Sequence, residues 1–209
     1  VATEQYRSEP HDRRAGLLYL GRLVDTKDLP LLVAAYSELW KRGLREPLRI
    51  AGGGTLARVL DVAMASLPAD ARGKVEVLGT VSEEHKRDLL ANSLALIVSS
   101  KREGFPVVVA EAMASGLPVA TVVRPDNGTA AVVRHYGIGA SGPPTPSGLA
   151  DAVESVIADW ETCSARGLSQ VGELHWERVV DRFLAQVANA IPRQDGTPRR
   201  RRRDRWARS

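Results

Sequence analysis

The chain has 209 residues, 44% hydrophobic content and a formal net charge of +4, which fits one domain with a real core and room for tails. Its single cysteine, Cys163, excludes an intrachain disulfide and suits a reducing compartment. There is no apolar run of spanning length and no secretory leader, so the chain reads as soluble as it stands. Charge is unevenly placed: residues 193–209 hold eight arginines and two aspartates, which leaves a net −2 on the remainder. The chain opens on Val1 rather than Met, which suggests a piece of something longer.

Residues 1–15 are polar and charged with no sustained period, and read as a linker or an irregular lead-in. Leu17–Leu20 is the first expected strand, closed by Gly21-Arg22. A helix is expected over 29–40, where Leu32, Val33, Tyr36, Leu39 and Trp40 share one face. Leu48–Ala51 is the second strand and runs into Gly52-Gly53-Gly54-Thr55, followed by a helix to about residue 66. The third strand, 75–78, ends at Gly79, and Ser82 is a good N-cap for the helix after it. Residues 94–98, LALIV, suit a buried strand and are too few for a helix. Pro106 fits the first position of a helix over 107–115 that stops at Gly116, and a strand opens from Leu117-Pro118. A short helix at 126–134, a brief edge strand at 137–140, a turn at 143–146 and two closing helices at 147–165 and 176–190 complete the chain.

Strands alternating with helices imply right-handed crossovers and a doubly wound, parallel α/β sheet, Rossmann-like in form. Ligands of such sheets bind beyond the C-terminal strand ends. The glycine clusters at Gly21, Gly52 to Gly54, Gly79 and Gly104 all fall there.

Residues 99–121, SSKREGFPVVVAEAMASGLPVAT, organise the rest. A strand, a glycine turn and a helix start make a site that welcomes an anion such as phosphate, because first-turn N–H groups lack helical partners and the dipole is positive there. Glu103 lies just before the helix and Glu111 sits eight positions later. If most of that span were helical, the carboxylates would stand about 10–12 Å apart. That spacing could bracket a nucleotide sugar, with one carboxylate for sugar hydroxyls, one for ribose hydroxyls and the diphosphate between them. Two carboxylates also repel a diphosphate, so cations are needed. Arg22 and Lys27, at the end of the first strand, are the candidates: Arg forks across two phosphate oxygens and Lys adds a point charge.

Taken whole, the stretch strongly resembles the donor-side signature of the family 4 glycosyltransferases of the GT-B fold, E-x7-E in the context P-S-x-x-E-G-F…E-A-x-A-x-G-x-P-V. Ser100, Glu103, Gly104, Phe105, Glu111, Ala112, Ala114, Gly116, Pro118 and Val119 match, and Ser99 replaces the usual proline. Gly21, Arg22 and Lys27 match the family's G-R-x-x-x-x-K-G, whose Arg and Lys contact the donor diphosphate; Asp28 replaces its final glycine. Residues 51–54 match A-G-x-G, although a plain loop explains them equally well. Leu78-Gly79-Thr80-Val81 matches L-G-x-V, where backbone groups meet the base. Asn127-Gly128 stands where the family has G-G-x-x-E-x-V: Val133 is kept, Ala131 replaces the glutamate, Tyr136 replaces a later glycine and Gly139 fits. Trp176-Glu177 resembles the family's closing S-W-E helix, although a core role suits Trp176 better than a ligand role.

The resemblance covers about residues 17–184 and implies a single GT-B half: a nucleotide-sugar-binding domain over 16–192, with 1–15 as lead-in and 193–209 as a disordered, Arg-rich tail. It implies the donor-binding half of a retaining glycosyltransferase of hexosyltransferase type, whose acceptor domain is absent from this chain, so that the chain alone is inactive or very weak. Glu103, Arg22 and Lys27 would be catalytic, with Glu103 on the donor sugar. Gly21, Arg22, Lys27, Gly53, Thr80, Val81, Glu103, Gly104, Phe105, Pro106, Val107 and Glu111 would bind the donor, with Glu111 on the ribose. No cofactor is expected beyond the nucleotide-sugar substrate, and no metal, since His11, His85, His135 and His175 are scattered and no Asp-x-Asp clamp occurs. The expected partners are the nucleotide sugar and an acceptor-binding domain, in the full protein or on a partner chain. The basic tail would favour an anionic membrane surface, and no specific nucleic acid is expected. The expected setting is cytoplasmic, with the inner membrane face as a peripheral site. Two rivals are a non-catalytic nucleotide-sugar-binding module and a GT-B relative such as a nucleotide-sugar epimerase.

Overall fold

The computed structural model describes residues 3–104 and 106–174, together with Val180. Six parallel strands form one sheet in the order β3-β2-β1-β4-β5-β6, with β1 Leu17–Leu20, β2 Leu48–Ala51, β3 Val75–Gly79, β4 Ala95–Val98, β5 Val119–Val122 and β6 Gly139–Gly142. This is the doubly wound Rossmann order expected from the alternation of elements. The order reverses between β1 and β4, so the chain ends of these two strands form the switch-point crevice.

Burial explains why the central strands are so apolar. Every residue of β4 and β5 is buried, as is most of β1, because helices cover both faces. The edge strand β3 alternates Val with Glu76 and is half exposed. Helices α1 Leu29–Lys41, α2 Ala57–Ala65 and α7 Pro146–Ala158 close one face over Leu17, Tyr19, Leu48 and Ile50. The four-residue α3, Ala69–Arg72, is not among the expected elements. Helices α4 Glu83–Asn92, α5 Val107–Ala114, α6 Thr129–Tyr136 and α8 Trp160–Gln170 belong to the other face, with Leu18, Leu96, Val98 and Val119 beneath them.

Local chemistry sets the helix limits. Ser82 caps α4 by accepting from the His85 N–H at 3.1 Å, as expected. Thr145 does the same for α7 through the Gly148 N–H, and Pro146 takes its first turn. Gly116, at φ +59°, ends α5 where the glycine signal placed the stop. Two of the expected helices need correction, and the edge strand expected at 137–140 lies at Gly139–Gly142. The helix expected over 147–165 is two helices, broken at Asp159, whose backbone leaves the helical region. The helix expected from residue 126 starts at Thr129, because Arg124 to Gly128 is held as a turn by Asn127. The helix expected at 176–190 and the tail at 193–209 lie outside the described residues.

Residues 3–15 are irregular, with short 3-10 turns at Thr3–Gln5 and His11–Arg13, and are packed onto the domain. Arg14 is 5% exposed, and Tyr6 reaches α5.

Candidate functional site

The loops that leave β1 and β4 are stitched together across the switch point. Lys101 N–H donates to the Thr26 carbonyl at 2.7 Å, and Ser99 Oγ donates to the Lys27 carbonyl at 2.7 Å. These bonds bring Lys27, in the 3-10 turn Asp25–Lys27, against Glu103, with which it forms an ion pair. Ser100 Oγ, 3.3 Å from the same Glu103 oxygen, donates to it as well. Glu103 itself is held by its backbone: its N–H donates to Asp126 O at 2.9 Å, and its carbonyl accepts from Gly128 N–H at 2.8 Å.

Gly128 has to be glycine for this contact. A Cβ there would lie 2.5 Å from the Gly104 carbonyl oxygen. Beside it, the buried Asn127 donates to the Ser100 carbonyl and accepts from Thr129 N–H, so the 99–104 loop rests on the 126–129 turn. Gly104 differs. A Cβ at Gly104 would meet nothing within 4 Å, so neither its backbone angle nor its neighbours require glycine.

Arg22 sits at the β1 end, its carbonyl fixed by the Tyr19 hydroxyl at 2.9 Å. Burial, with the Glu103 charge second, pushes the Tyr19 hydroxyl well above its ordinary range, so it stays a neutral donor. Among the described residues Arg22 has no carboxylate partner, whereas Lys101 pairs with Asp25 and Arg124 with Asp28. Asp28 is the one described non-glycine residue at positive φ (+50°). That explains the glycine at this place in the resembled pattern: the position is left-handed, tolerated by Asp, and here tied down by Arg124.

Glu111 belongs to a second cluster. It is 9% exposed on α5, and its Oε1 accepts from Lys86 Nζ at 2.8 Å and Tyr6 Oη at 3.0 Å. Burial and the Glu111 charge push the Tyr6 hydroxyl up to about 12. Burial alone would lower the Lys86 ammonium, but the Glu111 and Glu83 carboxylates outweigh it and the net movement is upward. Glu111 is thus a hydrogen-bonded carboxyl group whose Oε1 is engaged by two side chains of the protein.

The Glu103–Glu111 interval is only half helical, because α5 begins at Val107 and Glu103 lies in an extended bridge with Asn127. Pro106 is the residue before the helix rather than its first member. Val107 opens α5 and is exposed. Phe105 lies outside the described residues. On the β2 and β3 ends, Gly53 and Thr80 are neighbours: a Cβ on Gly53 would be 2.7 Å from Thr80 Oγ1. Gly52, φ +144°, is needed for a different reason, since its Cβ would sit 1.8 Å from the Gly21 carbonyl. The Gly52–Gly54 run is thus at least partly a packing device between two loops, with Gly21 N–H and Leu23 N–H donating to Ala51 O and Gly53 O. Val81 packs against the core beside the sheet.

Sequence reasoning missed Tyr6 and Lys86. Neither stands in a motif, and they lie 105 and 25 positions from Glu111. Among the described residues no group of three or more His, Cys, Asp or Glu could hold a metal ion, and no helix is long and apolar enough to cross a membrane.

Comparison with known proteins bears on the fold and family. A profile of the family described as "Glycosyl transferases group 1" matches residues 2–167. An uncharacterised glycosyltransferase of Methanocaldococcus jannaschii is 32% identical over 146 residues, covering 69% of this chain and 36% of its own length. The HepE protein of Anabaena, solved in complex with UDP, superposes with a TM-score of 0.72 at 18% identity, over 91% of this chain and 56% of that one. The C-terminal domain of a glycosyl transferase group 1 family protein from Francisella tularensis superposes with a TM-score of 0.68 at 16% identity, over 82% of this chain and 96% of that domain. The sheet and its flanking helices are those of GT-B glycosyltransferases. This chain spans about a third of the length of the archaeal relative.

Proposed function

The chain belongs to the group 1 glycosyl transferases, and on that premise we propose that it is the donor-binding half of an enzyme moving a sugar, with retention at the anomeric carbon, from a nucleoside diphosphate to an acceptor held by a second domain. The observation that carries the reading is the meeting of Lys27 and Glu103 across the switch point, with Arg22 on the same β1 loop and Gly104 next to Glu103. Arg22 and Lys27 would take the diphosphate and stabilise it as it departs, with the α5 N-terminus adding its dipole. Glu103 would accept hydrogen bonds from the donor sugar. Glu111, steadied by Lys86 and Tyr6, would offer its remaining oxygen to the ribose. Gly21, Gly53, Thr80, Val81, Phe105, Pro106 and Val107 would line the donor around them. That nearly all of the Francisella domain is covered, against about half of longer chains, supports a donor half. A cytoplasmic setting suits this substrate and the free, buried Cys163.

Lys27→Ala is expected to weaken nucleotide-sugar binding by about 1–3 kcal/mol, the worth of a lost charge-assisted bond. The change also leaves Glu103 bare beside the phosphates. Calorimetry giving equal affinity in mutant and parent would remove Lys27 from the site.

The same two cations are expected to make divalent metal unnecessary for binding. A nucleotide sugar titrated with and without chelator should show unchanged affinity. A large loss in chelator would overturn that expectation.

A further inference from the structure

Lys27 and Glu103 are placed to contact different parts of a donor, yet in the structure they contact each other. We propose that this ion pair competes with the diphosphate for Lys27, so that the site prefers a nucleotide sugar over the free nucleoside diphosphate left behind after transfer. The proposal rests on the donor-site reading above.

Both partners are set in place by the backbone. The Lys27 carbonyl is held by Ser99 Oγ, and the loop before it by Lys101 N–H. Glu103 is fixed at its N–H and its carbonyl by the 126–128 turn. Their side chains are 19% and 18% exposed, so water screens the pair only in part. The neighbouring cations are no substitute: Lys101 is bound to Asp25 and Arg124 to Asp28. An arriving diphosphate therefore meets Arg22 free of carboxylates among the described residues, and a lysine that is already neutralised.

To recruit Lys27, the diphosphate must strip Glu103 of its ammonium. A carboxylate so stripped has four acceptor sites to fill and, among the described residues, keeps the Ser100 hydroxyl as its side-chain donor. A donor sugar brings hydroxyl protons to fill them. A free diphosphate brings none and adds negative charge next to the bare carboxylate. The sugar thus makes opening of the pair tolerable, and once it has gone, Glu103 retakes Lys27 and pushes the diphosphate out. The consequence runs against intuition: deleting a charged residue of the site should tighten one of its ligands.

The test is calorimetry on the 209-residue chain with UDP, GDP, ADP and inorganic pyrophosphate, then with a sugar ester of whichever nucleotide binds. Glu103→Gln is expected to tighten the free diphosphate by roughly five- to tenfold, the scale of one partly screened charge pair, and to erase the preference for the ester. Glu103→Ala should tighten the diphosphate as well, which guards against a peculiarity of the amide. Repeating Glu103→Gln on a Lys27→Met background separates competition from bare repulsion, because the gain should then shrink by more than half in free energy. An unchanged or weakened diphosphate in Glu103→Gln, or an equal gain on both backgrounds, would overturn the competition while leaving the donor site standing. If the parent chain binds no nucleoside diphosphate at millimolar concentration, the donor-site reading fails and the competition with it.

Discussion

Arg14→Met is expected to cost about 3–5 kcal/mol of folding stability, because several buried carbonyls would lose a donor at about 1–3 kcal/mol each, out of the roughly 5–15 kcal/mol that holds a domain together. A guanidinium carries five N–H donors, and each has an acceptor here. Nε donates to the Glu9 carbonyl at 2.8 Å, Nη1 to the carbonyls of Leu90 and Ser93 at 3.1 Å each, and Nη2 to Ser115 O at 2.6 Å and Ser8 Oγ at 3.2 Å. Leu90 and Ser93 end α4, and Ser115 ends α5, so one cation satisfies orphan carbonyls at the negative ends of two helices. The ring of Trp160 lies 5.0 Å from the guanidinium, which joins α8 to the same knot. Burial pulls Arg14 down to about 10, with nearby Glu9 pushing the other way, so it is still protonated at neutral pH. Methionine fills similar volume and donates nothing, which leaves the buried carbonyls unpaired. Arg14→Lys keeps the charge with three donors and should fall between. Urea denaturation reads the effect as a lowered midpoint. A Met variant that unfolds with the parent would mean that the lead-in contributes nothing to the fold.

That arginine marks where sequence reasoning stops. The sheet was legible because parallel strands buried on both faces must be short apolar runs, as LLYL and ALIV are. The switch-point loops were legible because glycines and cations cluster after those runs, and the strand order sets the loops that carry Lys27 and Glu103 side by side. Partners supplied from far along the chain were not. Nothing local in QYRSEP says that Tyr6 reaches a carboxylate 105 residues away, and nothing near Arg14 says that it caps two helices. The break at Asp159 escaped because no glycine or proline marks it; Trp160 turns inward there and donates to Leu94 O at 2.8 Å, a tertiary demand that overrides helix continuity. Asp28 hid a left-handed residue behind an ordinary carboxylate, and only its place in the resembled pattern hinted that glycine would fit.

Sugar transfer by the 209-residue chain alone is expected to be at least on the order of a thousandfold slower than by the chain joined to an acceptor-binding partner, given how much rate correct orientation supplies. In the proposed donor site the residues at the switch point would hold a diphosphate, accept sugar hydroxyls and stabilise a leaving group, and an acceptor oxygen would come from the second domain. Among the described residues the histidines that could act as a base are elsewhere: His85 lies in the first turn of α4, His135 in the last turn of α6, and the His11 ring faces Trp160. With Gly104 exposed beside the pair, a donor bound to the single domain would also meet water, which competes with an acceptor for the sugar. The expected behaviour of the single chain is therefore donor binding with slow hydrolysis of the sugar ester. Adding an acceptor-binding domain, fused or as a separate chain, should raise transfer and suppress hydrolysis together, because the same closure that orients the acceptor excludes water. Product analysis separates the two reactions directly. Robust transfer by the purified chain, abolished by Glu103→Ala, would place the acceptor site within these residues and refute the donor-half assignment.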